Sequence, residues 1–139
     1  MVILIVLQKM LLIILAGFES ERIIEIIESF EPSAILLGKP ARSESINSKL
    51  SGVGDAKFEN VRNMYSSKIL DTFSFSCLDP KKTSDVLENQ INQYADEYNI
   101  IISPLNNKIS TLGVAVCAIK NEFVQVCYAS ANQYNIYNY

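Results

Sequence analysis

The sequence contains no histidine, and this absence excludes several kinds of catalytic and metal site. Nucleophilic triads with a histidine base, zinc sites with histidine ligands and most imidazole acid or base chemistry all need that residue. Among the residues that remain, we identify no general base with a partner positioned beside it. We therefore predict no catalytic residue, no metal site and no cofactor, and we favour a protein that is not an enzyme.

Cysteine is also scarce, and its three copies are Cys77, Cys117 and Cys127. No two of them have the C-x-x-C spacing that is typical of metal or redox sites. Each lies in an apolar run, where a free thiol behaves as a small hydrophobic side chain. We expect three buried, reduced thiols, and hence a reducing, cytoplasmic compartment.

The sequence also lacks a cluster of basic residues. Twelve Lys and Arg against fifteen Asp and Glu give a net charge of −3, and the basic residues are scattered along the chain. A surface that follows the phosphates of a long nucleic acid needs a basic face, so we predict no such partner. A small anionic nucleotide ligand needs only one local positive site and remains compatible with this charge.

Hydrophobic residues, by contrast, make up 49% of the 139 residues, enough for one domain over residues 1–139 to bury a core. Residues 1–17 are apolar except for Gln8 and Lys9. A membrane span needs about 20 apolar residues, and a signal peptide carries its positive charge before the apolar run. We therefore favour a buried strand over residues 11–16, with residues 2–7 as a second strand or an extension, over a targeting segment. No membrane partner is expected.

Short apolar runs alternate with amphipathic segments along the chain. This pattern predicts right-handed crossovers and an α/β fold, a Rossmann-like three-layer sandwich with a mostly parallel sheet of five or six strands. The predicted strands cover residues 11–16, 34–37, 71–78, 99–103 and 123–128. The predicted helices cover residues 21–30 with Ser20 as the cap, 56–66, a segment beginning at Thr83 or Ser84, and 107–120.

Two stretches have no assigned strand or helix. Residues 41–55 are rich in Ser, Gly and Asn and are interpreted as a long loop with room for a helical turn near Ile46 and Leu50. Gly52 and Gly54 belong to this loop, because they do not directly join a strand to a helix as a dinucleotide fingerprint does. The tail over residues 129–139 ends without a clear final element, which leaves open that the chain is part of a longer protein.

A ligand site in an open α/β sheet lies beyond the carboxyl ends of the strands, where the strand order reverses. The sequence does not give the strand order. With an order of 3-2-1-4-5, the reversal falls between the first and fourth strands. The candidate ligand-binding residues are then those of the two loops that follow these strands: Gly17, Phe18, Glu19, Ser20, Ser103, Asn106, Asn107 and Lys108.

Lys108 is the most informative of these residues. A helix N-terminus has free N–H groups and a partial positive charge, so it disfavours a lysine and favours an anion. A phosphate or carboxylate between Lys108 and the amides explains the lysine, and a solvated surface lysine is the alternative. Asn106 and Asn107 fit either a ligand contact or a helix cap, and Gly17 fits either a close ligand approach or a plain turn. Glu19 and Asp79, at strand ends, fit caps.

The run over residues 99–109, followed by the small-residue helix over residues 110–118, resembles CRISPR-associated Rossmann-fold (CARF) sensor domains. In that family a Gly-Gly-Thr-Lys-like turn precedes an Ala-rich helix, and Lys108 matches the lysine. Leu105 and Asn106 replace the glycines, and Asn107 replaces the threonine. The resemblance implies a homodimer that binds a cyclic oligoadenylate. The ribonuclease type of this family needs a histidine, so this chain alone would be a sensor or regulatory module.

The helix predicted over residues 107–120 carries apolar side chains around its whole circumference, and such a helix must be covered on all sides. The sheet covers one face, so another must meet a neighbouring helix, a second copy or a missing part of the protein. The alternative to a second copy is that the N-terminal segment or the tail folds over the helix. Three small residues would permit the close approach of a second copy in a two-fold homodimer. These three residues are Gly113, Ala115 and Ala118.

Three classes of function are compatible with these observations. We favour a nucleotide-sensing regulatory domain, for a cyclic oligonucleotide in a prokaryotic antiviral defence system. The alternatives are an interaction or assembly domain of a larger complex without a small ligand, and an enzyme acting on a nucleotide or sugar phosphate. A concave pocket at Lys108 favours the sensor, and a flat apolar surface there favours assembly.

Overall fold

A computed structural model of the chain describes residues 9–42, 51–129 and 134–138. In these ranges strands and helices alternate until the last two elements, which are both strands. Their bounds are β1 Lys9–Leu15, α1 Ser20–Phe30, β2 Ala34–Pro40, α2 Ser51–Met64, β3 Ile69–Phe75, α3 Pro80–Tyr94, β4 Tyr98–Pro104, α4 Lys108–Lys120, β5 Gln125–Ala129 and β6 Tyr134–Asn138.

The strands form one sheet in the order β3-β2-β1-β4-β5-β6. The first five strands in the chain are parallel, and β6 is antiparallel to its neighbour β5. Strand β1 is central, because it pairs with β2 on one side and with β4 on the other. The predicted α/β class and mostly parallel sheet are confirmed, and the strand order reverses between β1 and β4.

Helices cover both faces of the sheet, which makes a three-layer sandwich. Alternate side chains of β1 point to opposite faces, with Leu11, Ile13 and Leu15 packed against α3 and α4. Leu12 and Ile14 pack against α1 and α2. All five side chains are fully buried. This two-sided burial is the reason that β1 is a continuous apolar run without polar alternation.

Helix α1 begins one residue earlier than predicted. Ser20 lies in its first turn, and Glu19 occupies the N-cap position without a side-chain cap hydrogen bond. The carboxylate of Glu19 instead forms an ion pair with Arg22, with 3.0 Å between Oε2 and Nε. The prediction that Ser20 caps this helix is therefore wrong. The residue after the helix, Glu31, is its C-cap. It has a left-handed φ of 46°, and its N–H donates to the Ile27 carbonyl.

Helix α3 also begins earlier than the predicted Thr83 or Ser84. Its N-cap is Asp79, whose side chain accepts a 2.9 Å hydrogen bond from the Lys81 N–H, and Pro80 opens the helix. Proline is favoured there because its missing N–H would have no partner in the first turn. Thr83 lies within the helix and not at its start. Its side chain is buried, and its hydroxyl donates to the Ser76 carbonyl at 2.7 Å. The capping interpretation of Asp79 is confirmed.

The segment predicted as a long loop contains the start of α2. This helix begins at Ser51, so the prediction that Gly52, Val53 and Gly54 lie in a loop is wrong. Gly54 lies against the Phe18 side chain, because a Cβ at position 54 would lie 3.0 Å from the Phe18 ring. The predicted helical turn near Ile46 and Leu50 lies outside the described residues, as does the strand predicted over residues 2–7.

The tail contains a strand that the sequence pattern did not predict. Residues Tyr134–Asn138 form β6 and pair with Gln125–Ala129 of β5. This strand was missed because its sequence, Tyr-Asn-Ile-Tyr-Asn, contains no apolar run, as is possible for an edge strand of a sheet. Among the described residues, no helix has the length and apolarity needed to cross a membrane.

Helix α4 packs its small residues inward. Val114 and Ala118 are fully buried, and a Cβ on Gly113 would lie 2.7 Å from the Pro80 carbonyl oxygen of α3. The prediction that Gly113 and Ala118 serve the approach of a second copy is therefore wrong, because both are buried within one copy. Gly113 instead allows α3 and α4 to pack closely, which is the neighbouring-helix alternative. The exposed apolar side chains lie elsewhere, at Leu112, Ile119 and Phe123.

The three cysteines are buried and free, as predicted. Burial, reinforced by the nearby Glu88 carboxylate, raises the pKa of Cys117 to about 12. Burial also raises the pKa of Cys127. Both thiols therefore stay protonated and unreactive in the folded protein.

Candidate functional site

The loop between β4 and α4 is fastened to the carboxyl ends of two other strands. The side-chain N–H of Asn106 donates to the Ala16 carbonyl at 2.8 Å, and the Leu105 N–H donates to the Leu15 carbonyl at 2.9 Å. Asn106 also accepts a 3.3 Å hydrogen bond from the Cys77 thiol, just beyond β3. The Asn106 side chain therefore connects this loop to the segments that follow β1 and β3, at the carboxyl ends of the strands.

Asn107 is the N-cap of α4. Its side-chain oxygen accepts a hydrogen bond from the Ser110 N–H at 2.9 Å, and its amide N–H donates to the Cys77 carbonyl at 2.9 Å. The cap interpretation of Asn107 is confirmed. Lys108 follows as the first residue of the helix, and its side chain is exposed.

Gly17 lies where the loop after β1 touches the loop after β4. A Cβ at this position would collide with the Leu105 carbonyl oxygen. The glycine is therefore required by the close approach of two backbones, and this requirement does not involve a positive φ. Close packing of these loops leaves the next residue, Phe18, at the surface, with 37% of its area exposed.

A cleft of about 250 Å³ lies beside these loops, at the carboxyl ends of β1 and β2. The β1–α1 loop forms one wall, the residues that end and follow β2 form another, and the first turns of α2 form the third. The side chains that line the cleft include Phe18, Lys39, Arg42, Asp55, Phe58 and Asn106.

Two cations and one carboxylate define the charge of the cleft. The Arg42 guanidinium lies 3.3 Å from one Asp55 oxygen, and the Lys39 ammonium lies 4.0 Å from the other. The Lys39 ammonium also lies 5.3 Å from the centroid of the Phe58 ring. Arg42 is 81% exposed and Asp55 is 41% exposed, so solvent weakens their pairing to about 0–1 kcal/mol. Both cations are therefore accessible to an anion from solvent.

The aromatic rings of the cleft differ in exposure. Phe58 is buried in the core between α2 and the sheet, so it forms a fixed apolar base below Lys39. Phe18 packs against the backbone of Gly54 and keeps part of its ring in the open. An exposed aromatic face next to two cations can receive a planar group that carries a negative charge.

The structure separates the residues predicted for the site into two groups. Gly17, Phe18 and Asn106 line the cleft, whereas Lys108 does not. The other predicted site residues that do not line the cleft are Glu19, Ser20, Ser103 and Asn107. Ser103 is fully buried in β4, and its hydroxyl has no hydrogen-bond partner among the described residues.

The cleft residues that were not predicted from the sequence include the two cations, the carboxylate and the buried ring: Lys39, Arg42, Asp55 and Phe58. A signal for Lys39 exists, because it follows the apolar run of β2 after a single glycine and so lies at the carboxyl end of a parallel strand. Lys39 did not stand out as a site residue, because the glycine before it and the proline after it are typical of the end of a strand. Arg42 and Asp55 fell within the segment predicted as a long loop.

Within residues 9–42, 51–129 and 134–138, no group of three or more Cys, Asp or Glu side chains is placed to hold a metal ion. Comparison of the sequence with protein-family models found no match. Comparison with curated proteins likewise found no match.

Proposed function

We propose that this protein is a nucleotide-sensing regulatory domain that binds a small anionic nucleotide in the cleft beside Gly17. The observation that carries the proposal is the juxtaposition of the exposed Phe18 ring with Lys39 and Arg42 in one cleft. The cleft lies next to the strand-order reversal of an open α/β sheet, where ligands of this fold class collect.

The phosphate and the base of a nucleotide each have a matching group in the cleft. The Arg42 guanidinium can hold two phosphate oxygens at once, and the Lys39 ammonium adds a second positive charge. The base can stack on the open face of Phe18, with a contribution of about 1–3 kcal/mol. Asp55 is the only carboxylate that lines the cleft among the described residues, and two cations hold it. We therefore propose binding without a chemical reaction.

The resemblance to CARF sensors extends this proposal to a cyclic oligonucleotide ligand, a cytoplasmic role in prokaryotic antiviral defence and a homodimer. A cleft of about 250 Å³ is small compared with typical ligand pockets of about 300–1,000 Å³. A larger cyclic ligand would therefore extend out of the cleft along the carboxyl ends of the strands, toward α4. In this proposal Lys108, exposed in the first turn of α4, contacts the extended part.

Calorimetric titration of the protein with cyclic tetra-adenylate tests the proposal. Arg42→Ala should weaken binding about 10-fold to 150-fold, because it removes a charge-assisted phosphate contact. Lys81→Ala is the matched control, since Lys81 is an exposed ion-paired cation on α3, outside the cleft. No binding by the native protein, or equal affinity for Arg42→Ala and native protein, would contradict the proposal.

A second candidate function, self-association, is favoured by one observation on α4. Leu112 and Ile119 are seven residues apart and so share a helix face, and they are 54% and 67% exposed. Phe123, in the turn after the helix, is also exposed. We propose a second copy of this chain as the partner, since two-fold pairs are the commonest soluble assemblies.

Light scattering on Leu112→Glu with Ile119→Glu tests the second candidate. A native dimer should become a folded monomer, because two charges cannot be buried unpaired between the copies. Met64→Glu is the control, since Met64 is an equally exposed apolar residue at the end of α2. An unchanged mass for the folded double variant would exclude this surface.

A further inference from the structure

Asp55 lies between the two cations that the proposed ligand would use. One of its carboxylate oxygens lies 3.3 Å from Arg42, and the other lies 4.0 Å from Lys39. The two carboxylate oxygens are therefore placed much as two oxygens of a bound phosphate would be. A phosphate that entered the cleft would meet a negative charge that already neutralises part of the site.

We propose that Asp55 is a built-in competitor for the anionic ligand. The inference rests on the proposed function and concerns how the same site is regulated. A phosphate that binds Arg42 and Lys39 competes with the Asp55 carboxylate for both cations. Asp55 thus lowers the affinity and raises the ligand concentration at which the sensor responds.

The contacts around the two cations favour competition over a positioning role for Asp55. Lys39 keeps a second partner, the Phe58 ring at 5.3 Å, when the Asp55 charge is removed. Arg42 is mostly exposed, so its ion pair with Asp55 contributes little to holding the side chain in place. Loss of the Asp55 charge should therefore raise the positive potential of the cleft without dismantling it. If Asp55 acted by positioning the cations, the same change would lower the affinity.

Calorimetry at low salt with two adenine nucleotides of different charge tests the inference. Cyclic AMP carries one negative charge and AMP carries about two. Asp55→Asn should tighten binding about fivefold for each ligand charge, the factor expected for unit charges about 4 Å apart in a water-like medium. The gain for AMP should therefore exceed the gain for cyclic AMP. High salt should reduce both gains.

Asp85→Asn is the matched control, because it also removes an exposed ion-paired carboxylate but lies on α3, across the sheet from α2. Circular dichroism melting verifies that each variant is folded. Equal or weaker AMP binding by folded Asp55→Asn, including no detectable binding, would overturn the inference. The proposed function is judged separately, by cyclic tetra-adenylate binding to the native protein and to Arg42→Ala, so either proposal can fail alone.

Discussion

Replacement of Gly17 by alanine should destabilise the protein, because the added methyl group meets a backbone atom that cannot move easily. The new Cβ would collide with the Leu105 carbonyl oxygen. Leu105 is fastened at its N–H to the Leu15 carbonyl, and the next residue, Asn106, is bonded to the Ala16 carbonyl. Relief of the collision therefore requires the two loops to separate and these hydrogen bonds to lengthen.

The expected cost of Gly17→Ala is about 1–3 kcal/mol in the free energy of unfolding, the range typical of overpacked buried sites. Urea unfolding followed by circular dichroism measures it as a lower midpoint at unchanged slope. The same variant should weaken nucleotide binding, because Phe18 and Asn106 flank the displaced backbone.

Gly54→Ala is the control for this prediction. Its Cβ would lie 3.0 Å from the ring of Phe18, which is partly exposed and free to shift. Alanine is also favoured over glycine inside a helix by about 0.5–1 kcal/mol. We therefore expect Gly54→Ala to be neutral or stabilising. If Gly17→Ala unfolded at the native urea concentration, the argument from loop contact would be wrong.

Two further predictions concern buried groups. In the native protein Cys117 should react slowly with a thiol reagent, because burial and Glu88 raise its pKa to about 12. In denaturant it should react quickly, and fast labelling of the native protein would contradict the prediction. Asn107→Ala should lower the free energy of unfolding in urea by about 1–2 kcal/mol, because it removes the α4 cap and the hydrogen bond to the Cys77 carbonyl. The control is Asn63→Ala, at an exposed position of α2, and an equal or smaller loss for Asn107→Ala would refute the prediction.

The sequence was sufficient to predict the elements whose signals are local. Strands β1 and β4 are continuous apolar runs, and such runs are typical of strands covered on both faces. The start of α2 was missed because two glycines within three residues lower helix propensity, although tertiary packing with Phe18 retains the helix there. Strand β6 was missed because its pairing with β5 is not encoded in an apolar pattern.

The candidate site was only partly predictable for a related reason. The sequence indicated the loop at Gly17, because a glycine after a buried strand marks a strand-to-helix turn. The cations at Lys39 and Arg42 join this loop only because β2 lies directly beside β1 in the sheet. Asp55 joins them because α2 begins earlier than its composition suggests. Neither the strand order nor that helix start could be derived from residue patterns.

The most direct test of nucleotide binding in the cleft is an NMR titration of the ¹⁵N-labelled protein with cyclic tetra-adenylate. The proposed function predicts saturable shift changes centred on the backbone amides of Gly17, Phe18, Lys39, Arg42 and Asn106. The amide shift of Lys108 should change with them if the ligand extends along the carboxyl ends of the strands. Shift changes confined to Leu112 and Ile119 on α4, or no change at saturating ligand, would contradict the account.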